Sequence, residues 1–151
     1  PGDLQTMAYI AEAALKLGFR LRIACPEGFE PDGMIVARAK AEAPAQIRFF
    51  TDPFEAARDS DIINTDAWVS MGQEEGIMRR KQELFKKYQV NRALLAAAKK
   101  DVLVMHCLPA HRGEEITDEV ADGSHAVIFD QAENRLHMQK AILAHFLAET
   151  A

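Results

Sequence analysis

Two cysteines in 151 residues, 7% aromatic side chains and no apolar run of membrane-spanning length are the first limits this sequence sets. The two thiols, Cys25 and Cys107, each follow an apolar strand-like run. Their spacing matches neither a disulfide framework nor a paired zinc knuckle, which points to a reducing compartment. A membrane helix needs roughly 18 consecutive apolar residues, and none is present. The N-terminus lacks the charged-then-apolar layout of a secretion signal, so we expect a cytoplasmic protein with no membrane partner. A formal net charge of -5 leaves no general basic surface for nucleic acid. Also missing are the G-x-G-x-x-G dinucleotide turn, a phosphate-cradling Gly-Lys-Ser/Thr loop and the Gly-x-Ser-x-Gly nucleophile turn. A nucleotide-binding oxidoreductase is therefore the weakest reading.

What is present is ordinary globular composition, 48% hydrophobic and 27% charged, enough for one domain over residues 1–151. Short apolar runs alternate with helical patterns, the mark of repeated βαβ units. Met7, Ile10, Ala14 and Leu17 recur at helical spacing and stop at Gly18, a C-terminal cap. Strands are expected at 21–24, 47–50, 61–64, 102–105 and 126–129, with helices over 31–43 and 73–87. Asp52 caps the helix that Pro53 opens, and Asn91 caps a short helix running to Ala98. Met138, Ile142, Leu143, Phe146 and Leu147 form the apolar stripe of a closing helix. The expected fold class is α/β: a doubly wound, Rossmann-like three-layer sandwich with a mostly parallel sheet. Only Pro1-Gly2-Asp3 precedes the first helix, so the chain reads as starting at a strand's end. Without that usually central first strand, two halves of the sheet would lose their shared neighbour.

The chemistry concentrates where strands end. His106-Cys107-Leu108-Pro109-Ala110-His111-Arg112 follows Val102-Leu103-Val104-Met105, placing a thiol, two imidazoles and a guanidinium at the carboxyl edge, where open α/β sheets bind ligands. Two further loops, 65–73 and 130–135, fall at the same edge. Asp66 presents a carboxylate at a strand tip, and Ser70-Met71-Gly72 leads into a helix whose N-terminal amides favour an anion. A carboxylate for an amine and amides for an acid suit an amino acid. Each residue also has a plainer reading: Asp66 can cap a turn, Ser70 can start its helix, Trp68 can be packing, Cys107 an inert thiol and Arg135 a surface ion-pair residue. His106, Cys107 and His111 lack the regular spacing of a structural zinc site, so no metal is expected. His125, His137 and His145 belong to no constellation.

Four segments together carry a resemblance: Thr65-Asp66-Ala67-Trp68-Val69-Ser70-Met71-Gly72, Tyr88-Gln89-Val90-Asn91, His106-Cys107-Leu108-Pro109-Ala110-His111-Arg112-Gly113-Glu114-Glu115 and Phe129-Asp130-Gln131-Ala132-Glu133-Asn134-Arg135-Leu136-His137. In order and spacing they closely resemble the C-terminal, ornithine-binding half of the ornithine carbamoyltransferases, over nearly the whole chain. Ser70-Met71-Gly72 favours ornithine over putrescine relatives, and Cys107 after His106 favours it over aspartate relatives, which usually have Pro there. The resemblance implies that Asp66, Ser70 and Met71 hold the amino acid end of L-ornithine. It further implies that Cys107 assists deprotonation of the side-chain amine in a relay with Asp66. Cys107 and Leu108 would offer backbone carbonyls to the amide of carbamoyl phosphate, and Arg135 would reach its carbamoyl oxygen. Cys107, Asp66 and Arg135 are the implied catalytic residues, with citrulline and phosphate as products and no cofactor.

The departures set further expectations. The family usually has an Asn-Asn pair soon after the Gly-Asp ending its first strand, whereas here Gly2-Asp3 runs into Leu4-Gln5-Thr6-Met7. The N-terminal carbamoyl-phosphate domain, which in the family builds the trimer, is absent from this sequence. The chain alone is expected not to turn over. The alternative is a non-catalytic fold module that has lost ligand binding and self-associates through unpaired sheet edges.

Overall fold

Leu21-Arg22-Ile23-Ala24 and Ile47-Arg48-Phe49-Phe50 lie side by side as parallel strands, and they mark one of two strand pairs in the computed structural model. The structure describes residues 2–30, 33–42, 45–68 and 81–148. In chain order the elements are α1 (Gly2–Leu17), β1 (Leu21–Ala24), α2 (Gly33–Glu42), β2 (Ile47–Phe50), α3 (Pro53–Ala57) and β3 (Ile62–Thr65). There follow α4 (81–85), a 3-10 turn at Lys86–Tyr88, α5 (Arg92–Leu95), β4 (Leu103–His106), α6 (Asp118–Ala121) and α7 (Ile128–Ala148). β1 pairs only with β2 and β3 only with β4 among the described residues, each pair parallel with helix between its strands. The α/β class and parallel pairing agree with the pattern read above, and the sheet stands as two separate pairs.

Each pair has its own core. Ala11 and Ala14 of α1 press on Ile23, Cys25 and Ile47. Ala57, Val90, Leu94, Val104, Ile116, Val120, Ala121 and Ile128 form the second cluster around β4. Burying a Val or Ile side chain is worth about 1.5–3 kcal/mol, so Val104 and Ile116, both at 0% exposure, are the strongest apolar anchors of that half. Caps fall where expected. Gly18 takes φ 77 and donates its N–H to Ala14 at 2.9 Å, a left-handed stop that glycine adopts without steric cost. Asp52 accepts from the Phe54 N–H at 2.9 Å and Asn91 from the Leu94 N–H at 3.0 Å.

Several expectations change. Residues 126–129 are not a strand: Ala126 makes one isolated parallel bridge to Val104, and Gln131 already donates its N–H to the Val127 carbonyl at 2.9 Å. The good helix formers from Gln131 onward begin α7 at Ile128, whose side chain enters the core. For the same reason the loop expected at 130–135 is helix. α1 runs back to Gly2, because nothing in Asp3–Met7 breaks its pattern, so the strand end read at Pro1-Gly2-Asp3 is helical from Gly2. Met138, Ile142, Leu143, Phe146 and Leu147 are all exposed: α7 places Ile128 in the core around β4, while its stripe faces solvent. The helix expected over 73–87 is described only from 81, where it is α helix to 85 before the 3-10 turn, and α5 ends at Leu95, short of Ala98.

Candidate active site

The register of β3 against β4 assembles the site. Thr65 pairs with His106 at the last rung, so the next residues along the two parallel strands, Asp66 and Cys107, emerge side by side at the carboxyl edge. The Cys107 thiol donates to Asp66 Oδ1 at 2.8 Å, and the same oxygen accepts the Ala67 N–H at 2.8 Å. Burial first, and then the hydrogen bond and negative charge of Asp66, push the Cys107 thiol up from 9.0 to about 12. At neutral pH Cys107 is therefore a protonated donor, and Asp66 is the acceptor of the pair.

After Cys107 the chain turns sharply. Leu108 has φ 54, a left-handed conformation unfavourable for a residue with a branched side chain, and the Leu108–Pro109 peptide is cis. The Leu108 N–H donates to His106 Nδ1 at 2.9 Å, and the His106 backbone N–H donates to Gln131 Oε1 at 2.9 Å. Since His106 Nδ1 accepts, the hydrogen-bond network assigns the ring proton to Nε2. That nitrogen faces Glu115 Oε1 at 3.1 Å. Val104 and His106 are both buried on one face of β4, so His106 points into the core while Cys107 meets the edge.

The sequence-derived candidates thus divide. Asp66 and Cys107 come together, with Leu108 next to them. Arg135 lies on α7, exposed, one helical turn beyond Gln131 and on the same face; no contact joins it to Asp66 or Cys107. Ser70 and Met71 lie outside the described residues. Arg112 turns away, with Nη1 at 3.1 Å from Asp118 and 2.5 Å from Asp122, a surface pairing that holds Asp122 below the usual carboxylate range. Trp68 is buried and packs on Phe85, ring centres 5.9 Å apart.

Two residues escaped attention as anchors, Gln131 and Glu115. Gln131 is a side-chain acceptor for a strand-end N–H, and Glu115 is a carboxylate at 0% exposure in the core. Their sequence neighbourhoods, Asp130-Gln131-Ala132-Glu133 and Gly113-Glu114-Glu115-Ile116-Thr117, are polar and do not set them apart from surface residues. His111, Glu114 and Glu115 bring potential metal-ligand atoms within 4.8 Å of one another. Within that group Oε1 of Glu115 is already engaged by two donors, His106 Nε2 and the His111 N–H.

Paired parallel strands with a thiol, a carboxylate and a strained turn at their carboxyl edge define the class: an open α/β domain whose chemistry sits where such sheets take their ligands. The chain belongs to the aspartate/ornithine carbamoyltransferase family, whose Asp/Orn binding domain matches residues 2–146. It is 55% identical over 131 residues to the ornithine carbamoyltransferase of Syntrophus aciditrophicus, covering 87% of this chain and 43% of that protein. The ornithine carbamoyltransferase of Pyrococcus furiosus superposes with a TM-score of 0.82 at 46% identity, over 91% of this chain and 44% of that one. The anabolic enzyme of Campylobacter jejuni gives 0.84 at 37% identity, over 96% and 48%. The chain thus spans less than half the length of these relatives.

Proposed function

We propose that residues 1–151 are the ornithine-binding domain of an ornithine carbamoyltransferase, which moves the carbamoyl group of carbamoyl phosphate to the δ-amine of L-ornithine, giving L-citrulline and phosphate. The observation that carries this reading is the 2.8 Å contact from Cys107 to Asp66 beside the Leu108 turn. Family membership and the names of the relatives support ornithine as the amino acid. In this reading Asp66, Ser70 and Met71 hold the amino acid end, Cys107 and Leu108 offer carbonyls to the carbamoyl amide, and Arg135 answers the carbamoyl oxygen. The partner is a carbamoyl-phosphate domain supplied by the remainder of the enzyme, within a homo-oligomer such as the family trimer. We place it in the cytoplasm; among the described residues no helix is long and apolar enough to cross a membrane.

The chemistry follows from the protonation states. Ornithine arrives with its δ-nitrogen as an ammonium and cannot attack until it loses a proton. The Cys107 sulfur takes that proton as its own S–H passes to Asp66, so the thiol ends unchanged and the carboxylate protonated. The neutral amine attacks the carbamoyl carbon, a C–N bond forms, the C–O bond to phosphate breaks, and phosphate leaves with the electron pair and takes up the second proton that the newly bonded nitrogen sheds to become the amide N–H of citrulline. Positioning and stabilisation of the developing oxyanion supply the acceleration, with no covalent enzyme intermediate.

The test is an amide NMR titration of this chain with L-ornithine, using L-aspartate as control. Shifts at Asp66 and Cys107 with ornithine alone support the reading, while indifference to both ligands favours a fold-only module. A citrulline assay checks the accompanying expectation that this chain alone does not turn over; ordinary enzymatic rates would refute it.

A further inference from the structure

The turn bearing Cys107 and Leu108 is fastened at both ends to one buried oxygen atom. Glu115 Oε1 faces His106 Nε2 at 3.1 Å and accepts the His111 N–H at 2.5 Å, which closes residues 106–111 into a loop. We propose that Glu115 is a positioning residue: it acts through His106 and His111 to hold the Cys107–Leu108 peptide and to keep the Cys107 thiol on Asp66. The assignment rests on the reading of residues 106–108 as part of the site.

Three observations carry it. First, the His106 and Glu115 side chains are both at 0% exposure. Removing a carboxylate from water is costly, and an apolar residue of similar volume often serves a core as well or better. What such a pair supplies, and an apolar residue does not, is direction. Second, the connection is continuous: Glu115 sets the His106 ring, and His106 Nδ1 takes the Leu108 N–H at 2.9 Å. Leu108 stands at φ 54, a conformation that persists only when its surroundings hold it. Freed from His106, it would return to negative φ and rotate the peptide that carries the Cys107 carbonyl. Third, the anchor is itself fixed. The Glu115 carbonyl accepts the Val90 N–H at 2.8 Å, and Gln89 Nε2 donates to the carbonyls of Gly113 and Glu114 at 2.8 Å each. The second carboxylate oxygen accepts no hydrogen bond from the described residues and lies 3.8 Å from His111 Nδ1, so the directional hold runs through Oε1.

The chain contains its own control for the test. Cys25 is a free buried thiol in the other core, so its alkylation reports general loosening, whereas Cys107 reports the turn. In Glu115→Leu, which fills the space and removes both bonds, iodoacetamide modification of Cys107 should accelerate about tenfold while Cys25 stays at its wild-type rate. Glu115→Gln keeps an oxygen acceptor and should remain within about threefold of wild type. The His106 Nε2–H in nitrogen-15 spectra should stay hydrogen-bonded and slow to exchange with water in the glutamine variant and exchange rapidly in the leucine variant. If Glu115→Leu does not fold, Glu115→Asp, charged but one methylene too short, takes its place with the same expectation for Cys107. Equal acceleration of both cysteines, an unchanged Cys107 rate, or a glutamine variant as reactive as the leucine one would overturn the assignment. None of these readouts needs ornithine, so a silent ornithine titration would remove the proposed function while leaving the positioning of the thiol to stand or fall here.

Discussion

Cys107 and Asp66 are 41 residues apart in the chain and 2.8 Å apart in space, and the β3–β4 register accounts for the meeting. One rung of slippage would move their side chains to opposite faces.

The contact makes the thiol measurable. Iodoacetamide modification of Cys107 should follow an apparent pKa near 12, far above the ordinary 9.0, because burial and Asp66 both disfavour the thiolate. Asp66→Asn removes the charge, and alkylation at pH 9 should rise roughly three- to tenfold. An unchanged rate would mean that Asp66 does not govern the thiol.

Alkaline stability should share this origin. Burial raises Cys25 to about 11, with Glu30 adding to the shift, and Cys107 stands near 12. The unfolded chain releases both protons near pH 9 while the folded chain keeps them. The stabilising contribution is therefore complete below pH 9 and is lost as pH rises through 11 to 12. Urea midpoints should fall over that window, and Cys107→Ser should flatten the decline. A steeper decline in the serine variant would contradict the linkage.

Ile116 sits at 0% exposure between Glu115 and the start of α6, and it joins the core that supports β4. Ile116→Ala should cost roughly 2–5 kcal/mol and Ile116→Val about 0.5–1.5 kcal/mol, measured by urea unfolding. A loss below about 0.5 kcal/mol for alanine would place Ile116 at the surface.

Gln131 should matter more than a helix-surface glutamine. Its side-chain oxygen takes the His106 N–H, and Gln131→Ala leaves that buried donor unpaired at a cost of about 1–3 kcal/mol. Hydrogen exchange at the His106 amide offers an independent check, since protection should drop there and stay at Val104, whose N–H goes to the His125 carbonyl.

Local order was already legible in the chain. Gly18, Asp52 and Asn91 act as caps because capping depends on a few adjacent backbone groups, and the 47–50 and 21–24 strands fall on the residues expected. Asp66 and Cys107 could be picked out singly because each follows an apolar run at a strand tip. The resemblance carried in four segments foresaw the family.

Tertiary packing decided the rest. It ended the 126–129 strand after one bridge, because the Val104 backbone offers a partner there and the following residues gain more as helix. It turned the α7 stripe to solvent, since periodicity says which residues share a face and not what covers that face. Above all it gave Glu115 its place. A carboxylate's role is set by which donors reach it, and those donors, His106 and His111, arrive only when β4 and the turn after it are folded over the second core.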